Sequence, residues 1–460
     1  MLERNDQTIC AISTPHGTGG ISVIRVSGPE ALKICRKLSK KLSKTKVESH
    51  RVYFSDLFDL EGNKVDEVLF SYFENGKSFT GEETLEISCH GSPYITQQIL
   101  ELLCKAGART AEPGEFTFRA FMNNKLDLVQ AESVLSLIES KSKAASKVAL
   151  RQLDGHVSAE FENLISDLTW CLAHIEASID FIEQGIEVVD NRVLVQKLKS
   201  ISDSLQKIIH SYESGRMIRD GVRVALVGEP NVGKSSLLNL LLQADKAIVT
   251  PIAGTTRDVI DAEVLFDGIK YHLVDTAGLR ETDDQVELIG IGRSRNEAAK
   301  ADLVCFVIDG SSSDDVAAAI AKAEALSTDK KVFIANKADL AAPETKKKVT
   351  DTIQSAGYSV IWTSAIKPET RAQAFSSIRQ EIGSLDFLNE LTISSARQFE
   401  QAQYSFEMIS KSLAELENNT GAEFVAMYLK ESLISLQKIL GQVYDDQIMD
   451  RVFKEFCLGK

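Results

Sequence analysis

Residues 228–235 read GEPNVGKS and satisfy the phosphate-loop pattern G-x-x-x-x-G-K-[ST]. Glycines in such a loop let backbone N–H groups surround a phosphate without interference from Cβ atoms. The helix that starts there adds free N–H groups and the positive end of its dipole. The flanking residues supply the context this chemistry needs: a buried-strand run at 222–227 leads in, and a helix-forming run at 236–242 leads out. The loop therefore points to a nucleoside triphosphate held by Asn231, Val232, Gly233, Lys234, Ser235 and Ser236.

Three further motifs follow in order. Asp275-Thr276-Ala277-Gly278 matches D-x-x-G, whose aspartate can hold a magnesium shell and whose glycine N–H can meet a γ-phosphate. Asn336-Lys337-Ala338-Asp339 matches N-K-x-D. The aspartate can accept from guanine N1–H and its amino group, two donors that adenine does not offer in that geometry, so the motif selects GTP over ATP. Ser364-Ala365 follows a later strand run, where a backbone amide can contact the guanine oxygen; Ile366 stands where lysine or arginine is usual. Any one tetrapeptide alone could be a solvated turn. Four in order, each at the end of a strand, define a guanine-nucleotide site.

Roles follow from chemistry. Lys234 is expected to neutralise β/γ-phosphate charge and Ser235 to bind magnesium. Thr256, in the segment Thr250, Pro251, Ile252, Ala253, Gly254, Thr255, Thr256, is the natural second hydroxyl ligand of that metal. After DTAG comes Leu279, where Ras-type GTPases carry a water-orienting glutamine. Leucine cannot orient water, so either hydrolysis is slow or another residue does so.

These loops need a scaffold. Residues 216–384 alternate strand and helix signals, with strands expected at 222–227, 271–274, 303–308, 332–335 and 359–363, the order of a doubly wound α/β domain. Residues 1–119 read as mixed α/β, with strands expected at 8–13, 21–26, 68–73 and 85–89 and a helix at 93–106. From 120 to 215 the apolar period becomes helical, as in Phe161, Leu164, Ile165, Leu168, Leu172 and Ile175. Helical spacing returns over 385–460, with a helix expected at about 423–440. Such helices need a partner for their apolar faces. The expected architecture is thus multidomain: an α/β N-terminal domain (1–119), a discontinuous all-α domain (120–215 and 385–460), and an inserted P-loop domain (216–384).

Composition bounds the class. The 460 residues are 43% hydrophobic and 26% charged, which fits globular domains rather than disorder. No apolar run approaches the roughly 20 residues that span a bilayer, and the start MLERNDQT lacks a secretory pattern. Seven scattered cysteines without a C-x-x-C pair fit reduced thiols in the cytoplasm and argue against a zinc site. A net charge of −14 disfavours a general nucleic-acid coat and leaves room for a local patch gripping one structured RNA.

Taken together, the motifs resemble the MnmE (TrmE) family of potassium-activated tRNA-modification GTPases over the whole chain. The resemblance rests on GEPNVGKS, TPIAGTTRD, DTAGLRETDDQVELIGI, NKAD, the N-terminal GISVIRVSG, SFTGEETLEISCHGS and PGEFTFRAFMNNKLDLVQAE, and the final FCLGK. It implies a folate-binding-like N-terminal domain that dimerises. It also implies that Glu287, twelve positions after Asp275, is catalytic and orients the hydrolytic water through a second water. Read without the family, Glu287 is a switch-loop acid in an acidic stretch. Asn231 would ligate potassium with the carbonyls of Thr250, Ile252 and Thr255, since carbonyl dipoles can replace a hydration shell.

The resemblance further implies that Arg25, Glu86, Lys125 and Lys460 contact a 5-formyl- or 5,10-methylene-tetrahydrofolate. By themselves, Glu86 could be the outward residue of an alternating strand and Lys125 a surface charge. Cys457 in FCLGK is either a reactive thiol near the pterin or a packed one. No G-x-G-x-x-G follows a strand, so no flavin is expected on this chain. In the family the flavin belongs to a partner, MnmG (GidA), which forms a heterotetramer with the homodimer. Together they add an aminomethyl or carboxymethylaminomethyl group to carbon 5 of the wobble uridine of certain tRNAs. Two alternatives remain at this point: a ribosome-assembly GTPase of the Era or Der type, and a folate-dependent one-carbon transferase with a GTPase dimer switch.

Overall fold

The computed structural model describes residues 7–181, 191–242, 260–275, 298–326, 328, 330–383, 391–418, 421–444, 449, 452–454, 456 and 459. The chain divides into two compact units. One comprises Met1–Leu135, Gln152–Asp203 and Gln401–Lys460, and the other Ser136–Arg151 and Ser204–Glu400.

In the first unit, strands β1 (Ile9–Ile12), β2 (Ile21–Ser27), β3 (Arg51–Phe58), β4 (Lys64–Phe73), β5 (Thr84–His90) and β6 (Arg109–Thr110) form one sheet in the order β3-β4-β5-β2-β1-β6. Pairing is antiparallel except between β1 and β6. Alternation sorts the side chains: Ile24 and Val26 of β2 and Leu85 and Ile87 of β5 are buried, whereas Arg25 and Glu86 between them are not. The buried face packs on helices Ala31–Leu38 and Pro93–Ala106 through Ile34, Leu38, Ile99 and Leu103. Each such fully buried side chain contributes about 1.5–3 kcal/mol. Pro93 opens the second helix at a position where no N–H is needed, and Gly107, at φ 123°, closes it.

The same unit contains a helical layer. Helix His156–Phe181 buries Phe161, Leu164, Leu168, Leu172 and Ile175 and packs on helix Ala422–Leu440, which buries Val425, Leu429, Leu436 and Ile439. Ser405, on helix Ala396–Asn418, hydrogen-bonds Ser432 at 2.7 Å. Near the C-terminus, Gly459 lies against β1: a Cβ there would sit 2.2 Å from the Ile12 carbonyl, and its φ of +90° favours glycine.

The second unit holds strands β7 (Val222–Val227), β8 (Ile260–Phe266), β9 (Ile269–Asp275), β10 (Leu303–Asp309), β11 (Lys331–Asn336) and β12 (Ser359–Trp362), in the order β12-β11-β10-β7-β9-β8. All pairs are parallel except β8 with β9. Central strands are apolar on both sides because helices cover both faces. Leu237, Leu241, Phe375 and Ile378, from helices Lys234–Leu242 and Thr370–Ile382, join the cluster on one face. Val316, Val349 and Ile353, from helices Val316–Glu324 and Pro343–Ser355, join the cluster on the other. This is the doubly wound arrangement expected. Strand order reverses between β7 and β10, so the crevice that binds ligands in such sheets opens at the carboxyl end of β7.

Candidate nucleotide site

The phosphate loop occupies that switch point. Asn231 (φ +63°) and Gly233 (φ +92°) both take left-handed backbone, which turns the chain sharply into the helix beginning at Lys234. A Cβ on Gly233 would stand 2.4 Å from Asn336 Nδ2, so only glycine fits. Lys234 is 6% exposed, and its ammonium donates to the carbonyls of Gly228 (2.8 Å) and Glu229 (2.6 Å). It thus lies folded over the loop that the sequence assigns to phosphate. Lys322 forms an ion pair with Glu229 at the rim.

The N-K-x-D residues begin at Asn336, the last residue of β11, and reach the same loop. Asn336 donates through Nδ2 to the carbonyls of Val232 (3.1 Å) and Gly233 (3.4 Å), while its buried Oδ1 has no hydrogen-bond partner among the described residues. Lys337 also adopts positive φ, at +60°. Its ammonium pairs with Asp309 at 2.6 Å, so its stem spans from the end of β11 to the end of β10. Burial raises the Asp309 carboxyl, but hydrogen bonds from Lys337 and Ser311 outweigh it and hold the group below the usual range.

Ser364 and Asp339 meet directly: the serine hydroxyl donates to the carboxylate. That bond holds the Asp339 carboxyl below the usual range. The two loops are also joined by Ala338 N–H to the Thr363 carbonyl at 2.9 Å. Ala365 follows, and Ile366 is 76% exposed beside it.

The structure therefore gathers the residues expected at 231–236, 336–339 and 364–365. Thr250, Pro251, Ile252, Ala253, Gly254, Thr255, Thr256, Thr276, Ala277, Gly278 and Glu287 lie outside the described residues, and Asp275 is described only as the backbone end of β9. Asp309 was missed in the sequence; a carboxylate closing an otherwise apolar strand was its one signal.

In the N-terminal sheet, Arg25 of β2 and Glu86 of β5 are cross-strand partners. The guanidinium donates from Nε (3.1 Å) and Nη2 (2.9 Å) to Glu86 Oε1. It also lies over the rings of Phe79 (5.3 Å) and Phe116 (5.5 Å). Lys125 donates to the Gly76 carbonyl at 2.6 Å, on the turn that carries Phe79. Ser13, which follows β1, donates to the Gly459 carbonyl at 3.2 Å. Cys457 and Lys460 lie outside the described residues. Neither phenylalanine was foreseen, although both fall in motifs singled out above.

A phosphate loop at the switch point of a doubly wound sheet, with N-K-x-D hydrogen-bonded to it, defines a P-loop GTPase. The family model for the GTP-binding protein TrmE N-terminus matches residues 8–125, and that for the MnmE helical domain matches 128–457. The tRNA modification GTPase MnmE of Bdellovibrio bacteriovorus is 48% identical, covering 100% of this chain and 98% of that protein. The same-named proteins of Lactococcus lactis subsp. lactis (39%; 100% of each chain) and Flavobacterium johnsoniae (37%; 99% of this chain, 100% of that one) also align end to end. This chain belongs to the MnmE family of tRNA modification GTPases and is a GTPase acting in tRNA modification. Among solved structures, the G domain of the T. maritima FeoB iron transporter matches at 23% identity and a TM-score of 0.27, covering 36% of this chain and 99% of that one. Among the described residues, no helix is long and apolar enough to cross a membrane.

Proposed function

We propose that this chain couples GTP hydrolysis to modification of carbon 5 of the tRNA wobble uridine, using a one-carbon unit from 5,10-methylene-tetrahydrofolate to add an aminomethyl or carboxymethylaminomethyl group. The observation that carries this reading is the Arg25–Glu86 pair, whose guanidinium lies over the rings of Phe79 and Phe116, one strand away from the C-terminal tail at Ser13 and Gly459. A flat heteroaromatic ring with N–H donors suits that setting. Phe79, which is exposed, offers it an aromatic face, Glu86 accepts from the ring's N–H groups, and Arg25 donates to its oxygens. Lys125 and Lys460 would meet the carboxylates of the folate tail. Cys457 stands in the same terminal motif, either as a nucleophile or as packing.

In the nucleotide domain, Lys234 would exchange its loop carbonyls for phosphate oxygens, and Asp339, steadied by Ser364, would accept from the guanine edge. Ser235 and Thr256 offer hydroxyls for magnesium, which supplies charge neutralisation at the phosphates when bound. Asn231, with the carbonyls of Thr250, Ile252 and Thr255, offers a potassium site, and that cation would add positive charge beside the β/γ-phosphates. Glu287 orients the attacking water in place of the glutamine that Leu279 replaces. Residues 1–119 would form the folate and dimerisation domain, 120–215 and 385–460 the helical body, and 216–384 the G domain. The homodimer works with flavin-bearing MnmG as a heterotetramer, in the cytoplasm.

Wobble-uridine analysis of tRNA from a strain lacking this chain tests the reading. The modification should vanish and return with the wild-type chain. Unchanged tRNA would overturn it and favour a ribosome-assembly role, which the end-to-end relatives do not favour. Titration with 5-formyltetrahydrofolate tests the folate portion separately: Glu86→Gln should weaken binding about tenfold or more, with GTP turnover unaltered.

A further inference from the structure

Residues 33–46 read KICRKLSKKLSKTK, seven cations and no carboxylate in fourteen residues of a chain whose net charge is −14. We propose that this segment is a docking surface for the phosphate backbone of folded RNA. The inference rests on the reading that this chain handles tRNA.

The segment forms helix Ala31–Leu38 and helix Lys40–Lys44, and its two kinds of side chain separate cleanly. Ile34, Cys35, Leu38 and Leu42 are fully buried against the sheet, while every lysine and arginine is exposed. The scaffold is fixed. Ser39 caps the second helix by accepting from the Leu42 N–H, and its hydroxyl bonds Ser55 of β3 at 2.7 Å. Three cations are braced by backbone carbonyls: Arg36 on Leu42 (3.2 Å), Lys37 on Ala106 (2.6 Å) and Lys41 on Phe54 (2.7 Å). Bracing lowers the entropy lost when such long side chains meet a ligand.

Counter-charges are sparse. Glu30 pairs with Lys33 at 2.7 Å, at one end. Lys40, Lys44 and Lys46 make no ion pair among the described residues; Lys40 lies over the Phe58 ring at 4.4 Å. Screening over about 8 Å at physiological salt means a polyanion here senses this patch and not the net negative charge. The two helices, joined at the extended Ser39, are about 12 Å and 8 Å long at ~1.5 Å per residue, enough to meet several phosphates.

RNA fits better than a lipid surface. Helices that lie on membranes insert an apolar face, and the apolar face of this segment is spent on the protein core. A duplex RNA surface, read chiefly through phosphates and shape, needs only ordered cations.

The test uses the full-length chain, unfractionated tRNA and anionic phosphatidylserine vesicles. One variant combines Lys40→Gln, Lys44→Gln and Lys46→Gln. A charge-matched control combines Lys346→Gln, Lys347→Gln and Lys348→Gln. The first should bind tRNA about tenfold or more weakly near 0.15 M salt, with the slope of log affinity against log salt reduced by ~2–3. Its thermal unfolding and GTP turnover should match wild type, and the control should bind like wild type. An unchanged affinity and slope, an equal loss in the control, or a loss confined to vesicle binding would overturn the proposal. So would a wild-type chain that binds no tRNA, while wobble-uridine analysis decides the functional reading independently.

Discussion

The side-chain amide of Asn336 donates to the Val232 carbonyl at 3.1 Å, tying the end of β11 to the phosphate loop 104 residues earlier in sequence. One loop cannot shift without the other. Asn336→Ala removes the bond and opens space beside Gly233. The loss of about 1–3 kcal/mol for a broken buried hydrogen bond predicts GTP and GDP affinity roughly five- to a hundredfold lower by titration, with the affinity for reduced folate unchanged.

Asp339 accepts the Ser364 hydroxyl, so its carboxylate is aimed before any base arrives. Asp339→Asn turns an acceptor oxygen into a donor amide. Preference should swing from guanine to xanthine nucleotides, on the order of 10⁴-fold for a matched against a mismatched hydrogen-bonding edge. Because that bond lowers the folded pKa of Asp339, the carboxylate stays ionised across pH 5–8. Binding attributable to it should fade only as pH drops below the ordinary carboxylate value of about 4. Competition binding with XTP across pH measures both effects.

Glu287→Ala should leave GTP affinity within about twofold and reduce turnover by roughly 10²–10⁴-fold, the usual contribution of a general acid or base. Single-turnover hydrolysis beside equilibrium nucleotide binding separates the two quantities. Undiminished turnover would remove Glu287 from the reaction.

Stability of the N-terminal domain centres on Arg119, which is fully buried and bridges Glu82 (3.0 Å) and Glu115 (2.9 Å). Glu115 also receives Arg109 at 2.5 Å. Arg119→Met removes the buried cation that Glu82 and Glu115 share, leaving Glu82 with the Ser27 hydroxyl and Glu115 with Arg109, and should cost about 3 kcal/mol in thermal or denaturant unfolding. Burial pushes the Glu115 carboxyl up, but Arg109, the Glu112 N–H and Arg119 outweigh it and leave it lowered. A lowered folded pKa adds stability above the unfolded value, near 4.3, and that stability disappears as pH falls through the folded one. Glu115→Gln should flatten the acid limb of the stability profile.

Much of this architecture was legible because it rests on local pattern. The apolar runs at 222–227 and 303–308 appear as β7 and β10, and the helix expected at 93–106 spans those residues. Three strands escaped notice. β3 is an edge strand whose Val52 and Phe54 are exposed, so burial does not sharpen its alternation. β6 has two residues. β8 was readable from its hairpin: Asp267 and Gly268, both at positive φ, form the D-G turn that joins it to β9. In the nucleotide site, the motifs identified Asn336, Lys337, Asp339 and Ser364 because each carries a fixed role at a strand end. The role of Asp309 was not legible, because it is a contact between neighbouring strands, which spacing along the chain does not encode. Phe79 and Phe116 escaped for the same reason: cation–π partners 37 residues apart converge only once the sheet forms. The basic run at 33–46 was not singled out in the sequence, and its separation into a buried and a charged face required the fold.

We propose that the phosphate loop of this GTPase, through Asn231, recruits a monovalent cation to hydrolysis. GTP turnover by the purified chain in potassium against sodium at equal ionic strength tests it most directly. The account predicts at least a tenfold higher rate in potassium, since charge stabilisation beside the transferring phosphate of ~1.4 kcal/mol or more is worth that factor, and predicts that Asn231→Ala abolishes the difference. Equal rates in the two salts would contradict it.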